Sequence, residues 1–102
     1  MMPEQQVEQH KDGVFGVIGD LTFETVVSVE QEGLQAIQAS QQFIVFDLSS
    51  VKTCSSAALA LLLSWKRASQ AKDLKISLKS PPQQLHDMIA SAHLQAVIEL
   101  SR

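Results

Sequence analysis

A single cysteine, Cys54, rules out an internal disulfide and any zinc site built from several cysteines. It fits a reducing compartment. Positive charge is scarce: 8 Lys and Arg stand against 11 Asp and Glu, for a formal net charge of −3. A nucleic-acid binder needs a basic face to neutralise phosphates, so that class is excluded. So is a surface held to anionic lipid by charge alone. Long apolar runs are missing as well. The longest in the most apolar segment is Ala57–Leu63, far short of the ~20 residues that span a bilayer. Met1 to Asp12 lacks the apolar stretch of a signal peptide. There is no linker, low-complexity tract or internal repeat. Gly13, Gly16 and Gly19 follow a strand and its turn, which is no phosphate loop.

What is present suits one globular domain. The chain has 102 residues, 45% hydrophobic and 19% charged, enough for a core without disulfides or metal. The polar stretch 5–10 suits only an edge strand. Asp12-Gly13 is a tight turn, and Val14–Ile18 a second strand ended by Gly19-Asp20, so the chain opens with a hairpin. From Thr22, a candidate cap, the apolar period changes: Val26, Val29, Gly33, Leu34 and Ile37 predict a helix. Phe43–Leu48 is apolar on both faces, as a central parallel strand must be. A short polar loop follows, and then Ser56–Ala71 is the strongest helix. Lys66, Arg67 and Lys72 gather toward its end, where the dipole favours cations. Leu74, Ile76 and Leu78 alternate with polar residues as a half-exposed strand. Ser80-Pro81-Pro82-Gln83 predicts a capped helix start, with Leu85, Met88, Ile89 and Ala92 facing inward. Residues 97–100 suit a last short strand or helical turn. Strands alternating with helices predict an α/β fold with a mixed, mostly parallel sheet of four or five strands, an N-terminal antiparallel hairpin and three or four helices.

The junction after Leu48 is the candidate site. A buried strand feeds a helix whose first turn faces water, where backbone N–H groups lack intrahelical partners and are open to a visitor. Lys52, Thr53 and Cys54 are expected as an exposed loop, although a buried cysteine behaves as a small hydrophobe. Ser55 and Ser56 are plain helix caps, or contacts, or both. Ala57, Ala58 and Ala60 suit close packing of helix on sheet. Trp65 belongs in the core unless it faces out, where it would anchor a partner. Asp20, Glu24, Glu30 and Glu32 read as a solvated face with nothing to tune a catalytic pKa. His86 and His93 lack a third metal ligand, and Cys54 has no histidine partner. No cofactor, metal or catalytic residue is expected.

Several of these segments resemble the STAS domain, the family of sulfate-transporter C-terminal domains and bacterial anti-sigma-factor antagonists. Gly19-Asp20-Leu21-Thr22-Phe23-Glu24-Thr25 is similar to the family's Gly-Glu-Leu-Asp segment. Asp47-Leu48-Ser49-Ser50-Val51 resembles its Asp-Leu-Ser-x-Val strand end, and Cys54–Leu59 falls on its Asp-Ser/Thr-x-Gly-Leu loop. Ala58–Leu63 resembles the corresponding helix start in the free-standing STAS subunits of Mla phospholipid ABC transporters. The resemblance covers about Asp12–Leu100 of a single domain spanning 1–102. It departs at Ser55, where the family has an acid, and at Ala58, where it has glycine. It implies a non-enzymatic, cytoplasmic subunit bound to an ABC transporter ATPase and peripheral to the inner membrane only through that partner. The implied contacts are Lys52, Thr53, Cys54, Ser55, Ser56, Ala57, Ala58, Leu59, Asp20 and Thr22. The alternative it implies is an anti-sigma-factor antagonist whose kinase partner phosphorylates Ser56. A phosphate there would sit at the positive end of the helix dipole, so the fold would tolerate it. A small enzyme or ligand-binding module is the third reading.

Overall fold

The computed structural model describes residues 5–98 and the backbone of 100–101. The reading of Met1–Asp12 therefore falls, for residues 1–4, outside the described residues. The order is β1 (Val7–Lys11), β2 (Val14–Leu21), α1 (Val26–Ala39), β3 (Phe43–Cys54), α2 (Ala57–Ala71), β4 (Lys75–Lys79), α3 (Gln83–Ser91) and β5 (Leu100–Ser101). The sheet order is β1-β2-β3-β4-β5. Only β1 and β2 run antiparallel, joined through the turn at Gly13, whose φ of +76° is costly for any residue with a Cβ. The three parallel steps advance in one direction, so right-handed crossovers lay all the helices on one face. Contacts of α1 with α2, and of α2 with α3, match that layer.

The core is an aromatic stack under a helix pair. Phe46 lies in the middle of β3 and is fully buried, as is Trp65 of α2. Their rings stack with centroids 4.1 Å apart and planes 15° from parallel. Phe15, beside Phe46 on β2, extends the layer at 6.2 Å. The indole N–H donates to Glu30 O at 3.1 Å, so no polar atom is stranded. The ring also lies directly on Gly33, which lets α1 close onto α2. Trp65 is thus core and does not anchor a partner.

Several expectations need correction. β2 runs past Gly19-Asp20 to Leu21, because Gly19 adopts φ +84° and keeps the strand going through an irregular register. α1 starts at Val26 with Thr25 at its cap position and no side-chain capping bond; Thr22 contributes its carbonyl to the turn beneath. Lys72 serves α1 instead of α2: its ammonium donates to Ile37 O, Gln38 O and Ser40 O at 3.2, 2.8 and 2.8 Å. Ser80 caps nothing. It sits at φ +54°, and Pro82 holds the cap position of α3 in extended conformation. Glu32 is half-buried and does more than face solvent: one carboxylate oxygen accepts the Gln6 and Val7 N–H groups at 2.8 and 2.9 Å, tying β1 to α1. His93 lies beyond α3, so it shares no helix face with His86.

Gly33→Ala tests the stack. A methyl group there improves helix propensity by up to about 1 kcal/mol, but it lands inside the buried indole. Overpacking costs about 1–3 kcal/mol, so urea denaturation should show a net loss of stability.

Candidate functional site

The site lies where β2 and β3 run out together. Inward-facing residues of β3 alternate at Ile44, Phe46 and Leu48, then switch to Val51 and Cys54. The cause is two register shifts against β2. Gly16 pairs with Asp47 but Ile18 with Ser50; Gly19 pairs with Val51 but Leu21 with Cys54. Each shift places an extra residue on β3, and each extra residue resets which face follows. The segment 49–54 is therefore strand, and the exposed loop expected at Lys52–Cys54 is corrected. The Asp-Leu-Ser sequence has a local role here. Asp47 Oδ1 accepts the Ser49 N–H at 2.9 Å, taking up a donor beside the first shift. That bond and one from the Ser49 side chain, with weaker help from the Lys79 and His10 charges, outweigh partial desolvation and hold the Asp47 carboxyl below its usual range.

Side chains pin the two strand ends together. Thr53 donates its hydroxyl to Asp20 Oδ1 at 2.7 Å. Ser55 N–H donates to Leu21 O at 2.9 Å. The Gln6 carboxamide donates to Ile18 O and Asp20 O, both at 2.9 Å, bridging the carbonyls around Gly19. The Thr25 hydroxyl donates to Asp20 O at 2.7 Å and accepts the Thr22 N–H at 3.0 Å. The turn 22–25 is thereby fixed beside the start of α2.

Three amides of that start are already bonded. Ala57 N–H donates to Ser55 Oγ at 3.2 Å, Ala58 N–H to Ser55 O at 3.0 Å and Leu59 N–H to Ser56 O at 3.1 Å. These amides are satisfied, which corrects the expectation that they await a visitor. Ser55 supplies the helix-start bond, and the exposed Ser56 makes no capping bond. Of the expected contacts, Lys52, Thr53, Ser56 and Asp20 are exposed, while Thr22, Ser55 and Leu59 are half-buried. Cys54, Ala57 and Ala58 are buried, and Cys54 and Ala58 belong to the core cluster. Burial raises the Cys54 thiol pKa, the opposite of what a nucleophile needs.

Two exposed residues beside this cluster were not anticipated. Phe23 is 72% and Val27 66% exposed. The apolar run Val26, Val27, Val29 hid the second; helical phase turns Val29 inward and Val27 out. A polar groove of about 760 Å³, lined in part by Gln9, Glu32, Gln35 and Phe43, lies against β1 and the end of α1, away from all these residues. Among the described residues no group of His, Cys, Asp and Glu could hold a metal, and no helix is long and apolar enough to cross a membrane.

A family model described as "Mlab, STAS domain" matches residues 5–99. No curated protein matches the sequence significantly. Among solved structures, a candidate anti-sigma factor antagonist of Thermotoga maritima superposes with a TM-score of 0.77 at 14% identity, covering 92% of this chain and 83% of that one. The anti-sigma factor antagonist SpoIIAA in its unphosphorylated form superposes with a TM-score of 0.72 at 18% identity, covering 95% and 87%. At such identities the likeness is one of fold.

Asp47→Ala tests the motif's local role. A depressed folded pKa means the stabilisation is present above the unfolded value near 4 and lost as pH falls through the folded one. The variant should lose about 1 kcal/mol at pH 7, and the deficit should shrink in denaturation series taken progressively below pH 4.

Proposed function

The chain belongs to the STAS domain family, and from that premise we propose that it is a non-enzymatic docking subunit that binds the ATPase of an Mla-type phospholipid ABC transporter. The support is the family description, which carries the Mlab name, together with the form of the exposed strand end. The contact surface in this reading is Lys52, Thr53 and Ser56, with Asp20 and Thr22 beside them and Ser55 and Leu59 at the edge. Open α/β sheets place their binding sites at the carboxyl ends of parallel strands, where this surface lies. The observation that carries the reading is the closed first turn: with the Ala57, Ala58 and Leu59 amides already bonded, what faces outward is side chains. That suits a protein surface better than a phosphate or a cofactor. The subunit then works by orienting or stabilising the ATPase, does no chemistry of its own, and reaches the cytoplasmic side of the membrane only through that partner.

A second reading rests on Ser56. Its hydroxyl is exposed and takes no capping bond at the head of α2, as a kinase acceptor in an anti-sigma-factor antagonist requires. Ser55 stands where the family has an acid, so a kinase that depends on that carboxylate would find it missing. Under the docking reading Ser56 is a constitutive contact.

Co-purification with the ATPase separates the two. The docking reading predicts a stable complex with unmodified protein and a loss of at least about 10-fold in affinity for Ser56→Glu, as for a charge placed in a contact, with the unfolding midpoint unchanged. If no complex with the ATPase forms, while mass spectrometry finds phosphate on Ser56 after incubation with an anti-sigma kinase, the second reading replaces it.

A further inference from the structure

Phe23 and Val27 have no part in the fold. Neither belongs to the core cluster nor packs against it as a partly buried neighbour. Among the described residues, two other large apolar side chains are exposed, and each sits elsewhere. Phe43 is 47% exposed and covers Gly13 with its ring. Val97, 45% exposed, precedes β5 at the opposite end of the sheet. Phe23 and Val27 stand one helical turn apart, because the chain already winds helically at 22–25: Val26 N–H donates to Thr22 O at 2.9 Å. They form one apolar patch. The hydrogen bonds of Asp20 to Thr53 and of Thr25 to Asp20 fix it beside the exposed strand end.

We propose that Phe23 and Val27 are the apolar anchor of the partner surface, and that they seat in an apolar pocket with a basic rim on the partner protein. This rests on the reading of that end of the sheet as a protein-docking surface. Charge decides the chemistry of the occupant. The exposed carboxylates Asp20 and Glu24 flank the patch, and Lys52 is the cation on the neighbouring strand end. Anionic lipid would be repelled by those carboxylates, whereas a membrane-seeking apolar patch is bordered by Lys and Arg. A pocket lined by Lys or Arg at its rim meets them favourably. Two side chains expose far less surface than the roughly 800 Å² per partner of a stable interface, so they serve as a hot spot inside the larger contact that includes Thr53 and Ser56.

The test uses the full chain in cells, with the photo-crosslinker p-benzoylphenylalanine in place of Phe23 in one sample and of Ser56 in another. Both probes should capture the same protein. Phe23→Ser with Val27→Ser should then weaken binding to that protein, measured by calorimetry, by about 10- to 100-fold, with thermal unfolding unchanged. If the probe at 56 captures a partner while the probe at 23 does not, or if the double variant binds like the wild type, the anchor is wrong and the docking surface stands. If neither probe captures protein, both fall. Sedimentation with phosphatidylcholine–phosphatidylglycerol vesicles that depends on Phe23 would overturn the anchor in favour of a lipid surface.

Discussion

β3 continues beside β2 for two more bulged steps after the run that buries Ile44, Phe46 and Leu48. Without those steps the strand would stop near Ser49 and the rest would be a loose loop. With them, Cys54 pairs with Leu21, Thr53 reaches Asp20, and Ser55 hands its N–H to Leu21 O. Each extra residue on β3 both prolongs the ladder and turns the next apolar side chain inward. Val51 and Cys54 then seal the floor of the junction, and Lys52 and Thr53 are left on its surface. The position and rigidity of the start of α2 follow from that pairing.

Rigidity distinguishes two kinds of site. A ligand cradle at a helix start keeps its amides free and aimed at the visitor. Here Ser55 folds back on Ala57, and the Ala58 and Leu59 amides are taken by carbonyls of the preceding residues. The junction presents hydroxyls, one ammonium and one carboxylate on a backbone that has little left to offer. A preorganised patch of side chains loses little entropy on association, which is how a small interface reaches useful affinity. The aromatic stack of Phe46 and Trp65 supports this from below, since it fixes α1 and α2 against the sheet that carries both halves of the patch.

The sequence carried the fold class because its signals are clean: a continuous apolar run in 43–48, alternation in 74–78, helical spacing in 57–71, turn chemistry at Asp12-Gly13. It hid the strand 49–54 because a bulge converts a two-residue period into a three-residue one, which resembles neither a strand nor a helix. Contacts between distant elements were equally invisible. Nothing local to Glu32 announces that it accepts two amides of β1, and nothing local to Lys72 announces that it caps α1. Ser80 and His93 at positive φ have no glycine to mark them. At the site, Ser56, Thr53 and Asp20 were singled out through motif resemblance, and the fold leaves all three exposed. Cys54, Ala57 and Ala58 were named as contacts by the same resemblance, which does not say which side chains of a motif point inward; the packing reading of the two alanines fits their burial. Phe23 and Val27 were missed because an exposed apolar residue looks like any other until the helix phase is known.

Amide hydrogen exchange of the chain alone and mixed with the ATPase proposed as its partner tests the central claim most directly. The account predicts added protection in the segments 19–27 and 52–59, with β1 and the C-terminal half of α1 unchanged. Protection confined to the groove between β1 and α1, with 52–59 exchanging as in the free chain, would contradict it.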